Sequence, residues 1–176
     1  MHTHNIETML QKKIEEALNE QVNAELWSAY LYLSMSLHFE HEGRNGIANW
    51  FKIQFQEEQA HALALMDYLN ARDSKVVLKP IAEVPTSWES PKAAFEATLE
   101  HEKTVTGLIN NLYAMAEEAK DFATRQKLNT FIAEQVEEEE TVRQIIDDLD
   151  LVGNDGTGLL QIDRELGSRT FTAPQL

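Results

Sequence analysis

The segment QEEQAH, residues 56–61, places Glu58 and His61 one helical turn apart on a face that should be apolar. Steps of three and four residues put both side chains on the buried stripe of a helix, between Phe51 and Leu65. A single glutamate on a helix is usually solvated, and a lone core histidine is usually hydrogen-bonded. The pair becomes informative only if other helices bring polar side chains to the same height.

Three further helical stripes are interrupted in the same way. The first carries Glu25, the third carries Glu102, and the fourth carries Gln135 and Glu138. A buried carboxylate costs several kcal/mol unless it is neutralised or paired, and no Lys or Arg shares these stripes at that height. Protonation could relieve one carboxylate, whereas a divalent cation relieves all of them together.

The pattern therefore predicts a two-metal site in which Glu58 bridges the ions. Glu25 and His61 would complete the first ion's ligands, and Glu102 and Gln135 would form the second ion's ligands. Carboxylates with one imidazole favour iron or manganese, with zinc as an alternative. Chance placement of four separate polar residues is the competing interpretation.

The elements that must position these residues are long helices. Apolar periodicity predicts helices over residues 6–42, 46–73, 91–118 and 121–150. The 74–90 segment between the second and third holds about 17 residues and two prolines. Fully extended, it would reach roughly 55 Å, whereas a helix of about 28 residues is roughly 42 Å long. This crossover lets the second and third helices run parallel, which predicts an all-α, up-down-down-up four-helix bundle.

The end of the chain predicts one more element. Residues 153–158, GNDGTG, resemble a flexible joint, and 159–167 form a short amphipathic segment. A fifth helix seeking a neighbour's apolar surface and a loosely docked tail are both compatible with it. Residues 1–176 are expected to form a single domain.

Composition excludes several classes of function. The net charge of −15 argues against nucleic acid as a partner. Absence of cysteine excludes disulfides, iron–sulfur clusters and thiolate zinc sites. The first residues contain no apolar run that could serve as a signal peptide, and no segment approaches the length needed to span a membrane, so we expect a cytoplasmic protein. His2 and His4 could touch metal, but a frayed tail explains them equally simply.

Five segments together resemble the ferritin family, and within it the bacterial non-haem ferritins. They are NEQVNAELWSAYLYLSM, FQEEQAHALALMDYL, EHEKTV, FIAEQVEEEE and GLLQIDRELG. The resemblance as a whole runs from about residue 14 to residue 168. The ferritin-like di-iron proteins are a standard case of metal ligands projecting into a helix bundle. The resemblance is specific because the spacing agrees in separate segments.

The resemblance implies roles for individual residues. Glu25, Glu58 and His61 would hold the first iron, and Glu58, Glu102 and Gln135 the second. Tyr32 matches a tyrosine beside the site, which we treat as a catalytic residue. Carboxylates of a third iron site would be Glu57, Glu134, Glu137 and Glu138, although a solvated acidic face also explains this run.

The family further implies a hollow homo-oligomer of 24 subunits. Such a shell oxidises Fe(II) with dioxygen or hydrogen peroxide and stores a ferric mineral, binding two or three irons per subunit. Glu117, Glu118 and Asp121 are candidates for lining a pore. A passive iron-binding shell and a di-metal oxidase acting on an organic substrate are the competing functions.

Related proteins differ at identifiable positions. Rubrerythrin-like proteins carry cysteine pairs, and bacterioferritins carry a second Glu-x-x-His where this chain has Glu134 and Glu137. Bacterioferritins also place a haem-binding methionine where this chain has Gln59, so no haem is expected. Thr130 replaces a tryptophan found near the site in some bacterial ferritins.

Overall fold

The computed structural model describes residues 10–176, and five helices account for its regular structure over that range. They are α1 (Lys12–His41), α2 (Asn45–Ala71), α3 (Pro91–Glu118), α4 (Phe122–Val152) and α5 (Gly156–Leu166). The predicted four-helix bundle with a short fifth helix is confirmed. No helix within these residues is long and apolar enough to cross a membrane.

Contacts between the long helices fix their directions. Phe51 of α2 stacks on Phe95 of α3 with ring centroids 4.9 Å apart, early in both helices. Leu65 and Ile109, farther along the same two helices, share one apolar cluster. The two helices are therefore parallel, and each of them packs against an antiparallel partner, α1 or α4.

The crossover over residues 74–90 has no regular structure and follows α1 along its length. Near one end, Asn19 Oδ1 accepts a hydrogen bond from the backbone N–H of Val77 at 2.7 Å. Near the other, Ser34 Oγ donates to the carbonyl of Pro85 at 2.6 Å. These contacts satisfy backbone groups that a strand or helix would otherwise pair, so the crossover is held to α1.

The first helix begins later than predicted. Gln11 has an extended backbone, with ψ 139°, and α1 starts at Lys12. Apolar periodicity continues through Leu10, which is buried although it precedes the helix. Residues 6–9, like His2 and His4, lie outside the described residues.

Two other boundaries differ from expectation for local reasons. Helix α2 ends at Ala71 because Asp73 adopts a left-handed backbone with φ 54°. Helix α5 starts at Gly156, inside the segment predicted to be a flexible joint. The Asp155 side chain accepts a hydrogen bond from Gly158 N–H at 2.7 Å and caps the helix.

The fifth helix packs on α2 of its own chain. Asp163 Oδ1 accepts a hydrogen bond from Ile47 N–H at 2.9 Å, which satisfies a free donor at the start of α2. Gly46 approaches the backbone of Asp163 so closely that no side chain would fit there. The alternative of a loosely docked tail is therefore wrong for α5.

The bundle interior contains two separate apolar clusters. The cluster nearest α5 is the richer in aromatic side chains and includes Phe39, Phe51 and Phe95. The other is largely aliphatic and includes Leu18 and Leu65. Buried polar side chains from all four long helices lie between the two clusters, and we call this layer the polar belt.

Candidate metal centre

The polar belt contains every residue that the sequence assigns to the two-metal site. Among its members are Glu25 and Tyr32 of α1, Glu58 and His61 of α2, Glu102 of α3, and Gln135 and Glu138 of α4. All of them are buried, as are the neighbouring Gln21 and Gln54. Long helices of fixed register bring them together, because each belt residue continues the apolar stripe of its own helix.

Glu25, Glu58 and His61 form the tightest group in the belt. One potential ligand atom from each residue lies within 4.8 Å of the others. His61 Nδ1 is 3.1 Å from Glu58 Oε2 and 4.0 Å from Glu25 Oε2. Glu25 Oε2 and His61 Nε2 are buried without a hydrogen-bond partner. Two carboxylates and one imidazole converging on one point fit a divalent cation of the iron type.

A second group forms around Glu102. Tyr32 Oη donates to Glu102 Oε1, and Gln135 Nε2 donates to Glu102 Oε2 at 3.0 Å. Gln135 also contacts Thr106 Oγ1 at 3.3 Å. The structure thus brings Tyr32, Glu102 and Gln135 into contact, with the Gln135 amide nitrogen facing the carboxylate. Its oxygen is the atom that could serve as a metal ligand.

Glu138 extends this second group towards α2. Its carboxylate accepts a hydrogen bond from Gln54 Nε2 at 2.7 Å, and the same nitrogen lies 3.4 Å from Glu58 Oε1. Besides burial, the negative charges of Glu102 and Glu138 raise the pKa of Glu58. Glu138 therefore lies within electrostatic range of Glu58 and Glu102, and it also belongs to the acidic run of α4.

Burial makes the ionised state of these carboxyls unfavourable. It raises the pKa of Glu25 and Glu58 well above the ordinary value, and neighbouring carboxylates raise both further. Burial also raises the pKa of Glu102, against the lowering effect of Tyr32. The pKa of Glu138 rises to about 8, first through burial and then through the charge of Glu102. A dication would favour the ionised form of all four.

The expected third-site carboxylates occupy the edge of the belt. Glu57 is partly buried, and burial raises its pKa while Arg169 and then His61 lower it. The negative charge of Glu134 raises the pKa of Glu57. The negative charge of Glu57 in turn raises the pKa of Glu138. Glu137 is exposed on α4. Glu57 therefore lies within electrostatic range of both Glu134 and Glu138.

Other residues singled out in the sequence have more local contacts. Asp121 caps α4 by accepting from Thr124 N–H at 3.1 Å, and it pairs with Arg72 at 3.1 Å. Its carboxylate is therefore turned inwards, while Glu117 and Glu118 are exposed at the same end of the bundle. Thr130 donates its hydroxyl proton to the carbonyl of Lys127 at 2.8 Å.

Two polar residues contribute to the belt without an assigned role in the sequence reasoning. Gln21 Nε2 donates to Glu25 Oε1 at 2.8 Å, and Gln54 links α2 to Glu138. Gln54 interrupts the apolar stripe of α2 between Phe51 and Glu58, which is the signal that could have identified it. Gln21 lies one helical turn before Glu25 and could have been found by the same spacing.

The chain matches known proteins over most of its length. A family model described as the Ferritin-like domain matches residues 15–152. The bacterial non-heme ferritin of Bacteroides fragilis (strain 638R) is 44% identical over 161 residues, which cover 92% of this chain and 100% of the relative. The Staphylococcus epidermidis bacterial non-heme ferritin is 37% identical, covering 93% of this chain and 98% of its own.

Solved structures give the same result. The open pore ferritin of Archaeoglobus fulgidus superposes with a TM-score of 0.90 at 46% identity, covering 92% of this chain and 99% of its own. A humanized archaeal ferritin gives a TM-score of 0.92 at 46% identity, with 93% and 99% coverage. The chain therefore belongs to the ferritin family of iron-storage proteins.

Proposed function

We propose that this protein is a ferroxidase that oxidises Fe(II) at a di-iron site inside each bundle and stores it as a ferric mineral. Glu25, Glu58 and His61 hold the first iron, which is substrate and not a resident cofactor. Glu58, Glu102 and Gln135 hold the second, and the position of Glu138 supports its joining them. The observation that carries the proposal is the buried group of Glu25, Glu58 and His61 in a ferritin.

The negative charge of the belt carboxylates is what promotes the oxidation of Fe(II). Anionic oxygen ligands stabilise Fe(III) more than Fe(II), so the carboxylates of the polar belt favour loss of an electron from each iron. Dioxygen or hydrogen peroxide accepts the electrons; two Fe(II) ions and two protons convert dioxygen to hydrogen peroxide. Burial raises the pKa of Glu25 and Glu58, so Fe(II) competes with protons for these carboxylates. Tyr32 orients Glu102 by its hydrogen bond.

A third iron would bind at the edge of the belt. We propose Glu57, Glu134, Glu137 and Glu138 as its ligands, since mutual repulsion among these carboxylates is relieved by a cation. Partial burial of Glu57 and full burial of Glu138 support this proposal over an ordinary solvated face.

Assembly into a shell of 24 subunits completes the proposed function. Tyr30 and Leu37 of α1 and Ile81 of the crossover expose large apolar side chains around one groove. A second copy of the chain packing there would bury them, which agrees with the membership of this chain in the ferritin family. Size-exclusion chromatography with light scattering should give the mass of 24 chains. A cytoplasmic location stays a prediction.

The ferroxidase proposal can be tested by removing two ligands at once. Glu58→Ala combined with His61→Ala should abolish the fast rise in ferric absorbance after aerobic addition of Fe(II). Glu40→Ala combined with His41→Ala is a matched control, because it removes the same two residue types from the exposed end of α1. The control should oxidise iron at the unaltered rate.

The outcomes separate the competing functions. Fast oxidation that persists in the double variant would overturn the assignment of the site. Iron binding without oxidation in the unaltered protein would indicate a passive shell. Oxidation of an organic compound by a monomer would indicate a di-metal oxidase of a different class.

A further inference from the structure

The chain that follows α5 returns along α2 and is fastened there by Arg169. The guanidinium donates to Glu57 Oε2 at 2.5 Å and to Gln54 Oε1 at 2.9 Å. It also stacks over the Trp50 ring, 4.6 Å from the centroid. The backbone carbonyl of Arg169 accepts a hydrogen bond from Asn49 Nδ2 at 3.0 Å. Four side chains of one helix thus hold a single arginine in a defined place.

Arg169 fixes the orientation of the side-chain amide of Gln54 in the polar belt. A primary amide has one acceptor oxygen and one donor nitrogen, and Arg169 uses the oxygen of Gln54. The nitrogen must then point into the bundle, where it donates to Glu138 and approaches Glu58. Arg169 therefore acts on two belt carboxylates through Gln54 without touching either.

The same arginine supplies positive charge at the proposed third iron site. Glu57 is one of the four carboxylates of that site, and one of its oxygens is held by the guanidinium at 2.5 Å. Both side chains are largely shielded from water, with 24% and 18% of their surfaces exposed. An ion pair at this distance and burial is screened less than a surface pair, and it opposes a dication at the same carboxylate.

We propose that Arg169 is a positioning residue that competes with a divalent cation for Glu57, so that a third ion binds only when the guanidinium moves away. The inference rests on the proposed function, since it presupposes the di-iron and third sites. What it adds is that the chain's own Arg169 competes with the third cation for Glu57. The two events are thermodynamically linked. A cation bound at the third site weakens the contact between Arg169 and α2, and a stronger contact between Arg169 and α2 lowers the affinity of the third site for the cation.

Calorimetric titration with Zn²⁺ tests the competition without redox chemistry. The protein is the assembled, metal-stripped form, unaltered or carrying Arg169→Gln. The third equivalent should bind about 10- to 100-fold more tightly to the variant, the range expected when a charged hydrogen bond no longer has to be broken. Affinity for the first two equivalents should change less. Arg164→Gln removes the same charge from an exposed position on α5 and should leave the third step unchanged.

The emission of Trp50 provides a second measurement. In protein carrying Trp27→Phe and Trp88→Phe, Trp50 is the remaining tryptophan. The third Zn²⁺ equivalent should change its emission, because the guanidinium leaves the ring. Adding Arg169→Gln should remove that change, whereas adding Arg164→Gln should retain it.

The results distinguish this inference from the proposed function. Two tight Zn²⁺ equivalents followed by a third that is unaffected by Arg169→Gln would overturn the inference alone. Two initial equivalents that survive Glu58→Ala with His61→Ala would overturn the proposed site. If Arg169→Gln fails to assemble, the Trp50 emission of protein that retains Arg169 still tests the inference: a third Zn²⁺ equivalent that leaves this emission unchanged counts against the competition.

Discussion

Raising the pH should destabilise the metal-free protein, and the pKa of Glu138 gives the approximate size of one carboxyl's contribution. The pKa of this buried carboxyl rises from 4.5 to about 8 on folding, chiefly through burial. The folded chain therefore holds a proton that the unfolded chain has lost, and stability falls as pH rises. The contribution is complete below about pH 4.5 and is lost as pH rises through about 8. The loss is about 1.4 kcal/mol per pH unit, or about 5 kcal/mol over the whole interval.

Denaturant unfolding of chelator-treated protein between pH 5 and pH 8 measures this slope. Glu138→Gln keeps the shape of the side chain and an acceptor for Gln54, but it cannot ionise, so the slope should flatten by about 1.4 kcal/mol per pH unit. Glu140→Gln is the control, because Glu140 is exposed on the same helix. Equal slopes in Glu138→Gln and the unaltered protein, or stability that increases towards pH 8, would refute the reasoning.

Two further substitutions test packing and chemistry separately. Gly46→Ala would place a Cβ 1.5 Å from the carbonyl oxygen of Asp163, so unfolding free energy should fall by about 3 kcal/mol. Gly107→Ala has nothing within 4 Å of its Cβ and should raise it by about 0.5–1 kcal/mol; a similar response in the two variants would contradict this account of α5 docking. Tyr32→Phe removes the hydrogen bond to Glu102, and stopped-flow absorbance should show Fe(II) oxidation slowed by about three- to tenfold. An unchanged rate would exclude the role given to this tyrosine.

The helices were predictable because apolar periodicity is a property of each segment by itself. Ser90 and Pro91 mark the start of α3, where Ser90 accepts a hydrogen bond from Ala93 N–H. The start of α5 was missed because two glycines conceal the helix, and the deciding interaction is the Asp155 cap. The predicted boundary of α5 was therefore wrong because the hydrogen bond of one side chain outweighs the average helix propensity of the segment.

The belt residues were predictable for the same reason, since a carboxylate inside an apolar stripe is visible in the sequence. The hydrogen bonds among them were not, because Gln54 and Glu138 meet only after four helices have packed. The Arg169–Glu57 pair joins residues 112 positions apart. Only Gly167 and Ser168 separate Arg169 from the end of α5. They form no periodic pattern, so the local sequence does not indicate where the Arg169 side chain lies.

The separation of the interior into two apolar clusters has a consequence for how the bundle holds together. At mid-height the two halves are joined through hydrogen-bonded carboxyls and amides instead of continuous apolar packing, so the metal-free chain can open locally at the belt. Ions bound, as proposed, to residues from all four helices would oppose that opening because they would bind only the closed arrangement. We therefore expect iron loading to make unfolding more cooperative, and amide hydrogens on both sides of the belt to exchange with solvent more slowly and in concert.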